Sequence, residues 1–179
     1  RAVRASGEVQ VSFEQWEKSL SIAYGSFVAS EQNFLIHTYL SVFAKLLAYA
    51  VVSNDAYIDD GEMRAAIDGT VFDRYHISNF VEHDFFHWAA GAQSFSALKD
   101  SFRRIARELA AFDFHNVDED VLKGVYQEMI DLDTRHTLGE YYTPDWLCER
   151  LVSEFGFKQT DRILVASCGS GSFLPGVIG

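Results

Sequence analysis

Two short segments near the C-terminus hold the residues best suited to chemistry. In ILVASCGSGSFL (residues 163–174) a β-branched run leads into the turn Cys168-Gly169-Ser170-Gly171. Gly169 and Gly171 let the backbone approach a ligand closely and take φ values that other residues resist. The strand end and the next helix N-terminus then offer unpaired N–H groups. A strand followed by G-x-G serves many nucleotide-binding folds, and it also serves a tight strand-to-helix turn that binds nothing. The other segment, LGEYYTPDWL (residues 138–147), stands one helix upstream. There Thr143 can cap a helix and Pro144 take its first position, where a missing N–H costs nothing.

The elements that must position these segments are mostly helical. Ser12 with Gln15 forms a capping-box pattern, and Phe13, Trp16, Leu20 and Tyr24 follow at helical spacing over residues 12–25. Residues 31–52 predict a core helix whose narrow polar stripe, His37, Ser41 and Lys45, meets water. After a loop marked by Asn54, Asp55, Asp59, Asp60 and Gly61, a short helix is expected over 62–68. Further helices are expected over 78–90, from Ser94 or Ser96 to about 112, and after Asp118 to about 132. Residues 1–135 contain no convincing strand and no internal repeat. Then the pattern changes to a helix carrying Trp146, Leu147, Leu151, Val152 and Phe155 and stopping near Gly156, a strand over 162–166, and the glycine turn. Many doubly wound α/β domains begin this way. The expected fold is mainly α: a helical N-terminal domain (1–135), then the truncated start of a doubly wound, Rossmann-like α/β domain (136–179).

Composition bounds the partners. The chain of 179 residues is 48% apolar and 15% aromatic, enough for a core and far from a disordered composition. It starts at Arg1 with no charged and then apolar leader, so it reads as lacking residues upstream and carrying no secretory signal. The apolar stretch 34–52 contains His37 and Lys45 and reads as a buried helix rather than a membrane span. Two cysteines, Cys148 and Cys168, make no disulfide framework and suit the cytoplasm. A net charge of −11 opposes broad phosphate binding, so any grip on DNA must come from a local patch or from polypeptide outside this chain. Arg103, Arg104 and Arg107 form the tightest basic cluster beyond the N-terminus and read as a solvated helix face.

Taken together, RHTLGEYYTPDWLCERLV (residues 135–152) and ILVASCGSGSFL resemble the N6-adenine DNA methyltransferases of type I and fused type II restriction-modification systems. In that family a Y-T-P segment preceded by a glycine stands one helix before a D-P-x-C-G-S-G-x-F-L segment. NFVEHDFFHW (residues 79–88) also resembles the helical region that precedes the methyltransferase domain in the fused enzymes, as a weaker match. The resemblance implies S-adenosyl-L-methionine as cofactor. It implies that Tyr142, Thr143 and Pro144 lie against the methionine end, where the Thr143 hydroxyl and the following helix N-terminus meet the carboxylate. It further implies that Gly169, Ser170 and Gly171 form the turn beneath the cofactor, beside Ser167 and Cys168. Cys168 is a packing position in the family and has no adjacent base, so it is no nucleophile. The implied function is that of the N-terminal part of a DNA adenine-N6 methyltransferase. Double-stranded DNA would be bound mostly through other parts of the parent protein, with a specificity or nuclease subunit as possible partner and no membrane.

Two features bound that expectation. Where the family has an acid and then proline at the strand end, this chain has Val165 and Ala166. A charged hydrogen bond of that kind is worth roughly 1.5–3 kcal/mol, or about tenfold to a hundredfold in binding, so the expected site is weak, compensated elsewhere or decayed. The family grips a flipped adenine with an (Asn/Asp)-Pro-Pro-(Tyr/Phe) segment. The two prolines here, Pro144 and Pro175, are not adjacent, so no catalytic residue is assigned and this chain alone is expected to be inactive. The rival expectation is a non-catalytic helical scaffold carrying a decayed methyltransferase remnant. A nucleotide-binding domain of another class stands third. His76, His83 and His87 fit no recognised metal pattern, and no metal site is assigned.

Overall fold

The computed structural model describes residues 7–25, 29–53, 58–78, 80, 84–114, 120–130, 132–133, 135, 141–158 and 160–178. The chain divides into two compact units, residues 1–117 and 118–179. The fold is mainly α, and no strand occurs among the described residues.

The first unit is built on α1 (Gly7–Tyr24), α2 (Glu31–Ser53), α3 (Asp60–Asp68) and α4 (Ala92–Leu109), with 3-10 turns at Thr70–Tyr75 and His87–Ala90. α1 is already helical at Gly7, so Ser12 and Gln15 lie in its interior and the expected capping box does not form there. Ser30 caps α2 instead, its hydroxyl accepting the Asn33 N–H at 3.0 Å. Asp59 caps α3 through the Glu62 N–H at 2.8 Å. α4 starts after Gly91, ahead of both expected serines, and buries Phe95, Phe102 and Leu109 from its apolar side. Asn54 and Asp55 lie outside the described residues.

The core gathers aromatics from three elements. Phe34 of α2 lies 5.4 Å from both Phe13 and Trp16 of α1, 5.7 Å from Phe86 and 6.3 Å from Trp88, centroid to centroid. Met63, Ile67, Val71, Phe72 and Trp88 are fully buried. Each such side chain contributes roughly 1.5–3 kcal/mol on leaving water. α2 is long and apolar enough to cross a membrane by length and composition alone. In this fold it packs on α1, α3 and α4 with Phe34, Val42, Leu46 and Tyr49 buried.

The expected helix over 78–90 is corrected. Residues 85–86 form a turn and 87–90 a 3-10 turn, while Asn79 and residues 81–83, His83 among them, lie outside the described residues. The cause is Asp84, whose carboxylate is committed elsewhere. One oxygen accepts the Phe86 N–H at 2.9 Å, and the other takes the Ser41 hydroxyl and the Lys45 ammonium, each at 3.1 Å. The polar stripe of α2 is corrected by the same contacts. Lys45 is buried and faces Asp84, not water. Phe80 stacks on Phe72 at 4.3 Å.

The second unit carries α5 (Val121–Met129), α6 (Asp145–Phe155) and the short α7 (Leu174–Ile178). Asp120 caps α5 by accepting the Lys123 N–H at 2.9 Å, two residues beyond the expected start signal. Asp118 and Glu119 lie outside the described residues. α6 ends as expected at Gly156, which takes a left-handed conformation.

Candidate functional site

The Y-T-P segment is held from α5. Lys123, the only cation on that helix, reaches Asp145 Oδ1 at 2.8 Å and donates to the Thr143 carbonyl at 3.3 Å. Its side chain is 13% exposed while that of Asp145 is 68% exposed, so the ammonium is the sheltered partner. The rings of Tyr126 and Tyr142 meet edge to face at 5.7 Å. The Tyr142 ring, the Thr143 carbonyl and the Asp145 carboxylate are thereby all contacted from one helix.

The expected capping is shifted by one residue. Pro144, not Thr143, is the N-cap of α6, with φ −59° and ψ 141° and no side-chain capping bond. Its carbonyl accepts from the N–H groups of both Leu147 and Cys148, at 3.0 and 3.1 Å. Pro144 itself takes extended backbone and Lys123 claims the Thr143 carbonyl, so the first intrahelical bonds fall to the Pro144 carbonyl. Proline at the cap has no side-chain oxygen, so the N–H groups of Asp145 and Trp146 receive no capping bond from it. The Thr143 side chain is half-buried beside them. Gly139 and the rest of residues 136–140 lie outside the described residues.

The glycine turn has the expected backbone. Gly169 and Gly171 take φ of +57° and +96°, a region open mainly to glycine. Gly171 N–H donates to the Cys168 carbonyl at 2.9 Å, and Leu174 N–H to the Gly171 carbonyl at 2.8 Å. A Cβ on Gly169 would meet nothing within 4 Å, so that face of the backbone is open. The Ser170 and Ser172 hydroxyls lie 3.5 Å apart. Cys168 is exposed, which corrects its expected packing role. Residues 162–166 are corrected too: they run irregularly rather than as a strand, since no strand among the described residues supplies the hydrogen bonds that define one.

Beside the turn lies an apolar hollow of about 370 Å³, lined by Leu151, Val152 and Phe155 of α6 and by Val165, Ser167 and Phe173 among others. None of its lining residues is charged. It abuts the C-terminal half of α6, whereas Tyr142, Thr143 and Pro144 precede the helix. Along the α6 axis the two are about 10 Å apart at 1.5 Å per residue. Between them Cys148 is buried, and burial raises its thiol pKa, with the Asp145 charge adding and Lys123 opposing. It is a core thiol.

In the first unit, Arg103 is paired on a face that stays open to solvent, its side chain 43% exposed. Its Nε and Nη2 make a two-pronged contact with the Asp60 carboxylate at 2.9 and 2.8 Å, and Nη1 reaches Asp100 at 3.3 Å. Arg107 donates to the Arg103 carbonyl at 3.4 Å. The charge of Arg103 is thus offset by Asp60 and Asp100. No group of three metal-ligating side chains occurs among the described residues.

None of Lys123, Tyr126 and Asp145 is assigned to the site from the sequence. A single cation on a mostly apolar helix was the available signal. No protein-family profile matches the chain, and no curated protein or solved structure matches it either.

Proposed function

We propose that this chain is part of a DNA adenine-N6 methyltransferase of the restriction-modification type and carries part of its S-adenosylmethionine site. The observation that carries the reading is the pairing of a braced Y-T-P turn at the start of α6 with a left-handed glycine turn after it. The Asp145 and Trp146 N–H groups at the start of α6 and the Thr143 hydroxyl suit a carboxylate. The bare face of Gly169 suits close approach of a ligand, and the apolar hollow suits an aromatic base. The residues present therefore fit the carboxylate and the apolar part of the cofactor. No acid lines the hollow to face its ammonium or sulfonium, with Val165 and Ala166 where the resemblance asks for an acid and proline. When bound, S-adenosylmethionine supplies an electrophilic methyl group. The residues here bind and orient it, and the group that accepts the methyl is held elsewhere.

Calorimetric titration of S-adenosylmethionine into this chain and into the complete gene product tests the reading. Micromolar binding by the complete product, with adenine methylation of DNA, is the expected result. A folded complete product that binds none would sink it. That result would favour the second reading, a helical scaffold with a decayed site, which the Val165-Ala166 pair already motivates.

A further inference from the structure

The helix upstream of the Y-T-P turn carries a side chain with two simultaneous duties. Lys123 Nζ touches the Thr143 carbonyl at 3.3 Å and Asp145 at 2.8 Å, while its stem is sheltered to 13% exposure. Asp145 sits in the first turn of α6, where a carboxylate interacts well with the helix dipole. The same carboxylate would repel an anionic ligand arriving at those N–H groups. A paired Lys123 removes that repulsion and at once fixes the direction in which the Thr143 backbone points. Tyr126, one turn along α5, holds the Tyr142 ring and so limits the segment from its other side.

From these contacts we infer that Lys123 is a positioning residue of the cofactor site, making the start of α6 fit for the carboxylate of the methionine moiety. The inference rests on the function proposed above and adds α5 to the site. Lys123 acts through Thr143 and Asp145, and its effect is confined to the anionic end of the ligand. A ligand without that end does not register its loss.

The test compares S-adenosylmethionine with 5′-methylthioadenosine, which shares the nucleoside and lacks the amino-acid end, as calorimetric probes of the complete protein. Lys123→Met is expected to weaken S-adenosylmethionine binding about tenfold while leaving 5′-methylthioadenosine unchanged. Lys123→Arg restores most of the loss, since the charge is retained. Asp145→Asn alters an exposed side chain and tests the same idea without risk to the fold. It is expected to tighten S-adenosylmethionine binding about threefold, through a first turn freed of one negative charge. Equal loss of both ligands in Lys123→Met, or an unchanged affinity in Asp145→Asn, overturns the inference and leaves the proposed function standing. Wild-type protein that binds neither ligand overturns both.

Discussion

Lys45 and Asp84, 39 residues apart in the chain, meet at 3.1 Å and join the middle of α2 to the segment that enters the 3-10 turn at His87. The lysine side chain is 8% exposed and the aspartate 32%, so the pair is sheltered on one side only. Asp84 also holds Ser41 and the Phe86 N–H, and three groups therefore share one carboxyl. This cluster closes the aromatic core against α2, with Phe86 and Trp88 carried in on the same segment.

Lys45→Met leaves Asp84 without its cation. Removing one partner of a fully buried pair costs about 3–5 kcal/mol, and the exposure of Asp84 brings the expected loss down to roughly 1–3 kcal/mol. Urea unfolding followed by far-ultraviolet circular dichroism measures it, as a lower midpoint with an unchanged slope. A midpoint equal to wild type would show that the ammonium contributes nothing net.

His37 makes stability depend on pH. Burial lowers its pKa below the ordinary value of about 6.5, among Trp16 at 5.6 Å and Phe86 at 6.4 Å. The unfolded chain therefore takes the proton first as pH falls. Stability is full above about 6.5 and declines as pH drops from there toward the depressed folded value. Melting temperatures between pH 7.5 and 5.5 should fall less in His37→Phe than in wild type. Parallel curves would remove His37 as the cause.

The two thiols should separate cleanly. Cys168 is exposed on the glycine turn, and Cys148 is buried with its pKa raised by burial. Because the thiolate is the reactive form, a chromogenic disulfide reagent at pH 8 should titrate one thiol quickly and the second only on unfolding. Cys168→Ser should abolish the fast phase. Two fast thiols would mean that the C-terminal unit opens readily.

Gly124 offers a gain. It lies inside α5, and an added Cβ would meet nothing within 4 Å. Gly124→Ala should therefore stabilise the helix by about 0.5–1 kcal/mol, through the lower entropy of the unfolded chain. A rise in melting temperature checks this, and a fall would mean that the backbone of α5 is not relaxed at that position.

Local pattern alone made much of this protein legible. Unbroken apolar periodicity placed α2 and the buried side of α4, and Gly156 marked the end of α6, because these depend on neighbours within a few residues. The left-handed backbone at Gly169 and Gly171 was legible for the same reason, as few other residues tolerate it. Non-local contacts decided the rest. Residues 84–90 have a helical pattern yet form turns, since Asp84 gives its carboxylate to two side chains of α2. Residues 162–166 have a strand composition, but no second strand among the described residues completes their hydrogen bonds. Pro144 displaced Thr143 as the cap of α6 where Lys123, 20 residues earlier, holds the Thr143 carbonyl. Periodicity records which face of an element is apolar, and so the sequence by itself determined most of the helices, the one expected over 78–90 excepted. Only the tertiary structure decided where each charged or hydrogen-bonding side chain found its partner, and those partners set the turns and the brace of the Y-T-P segment.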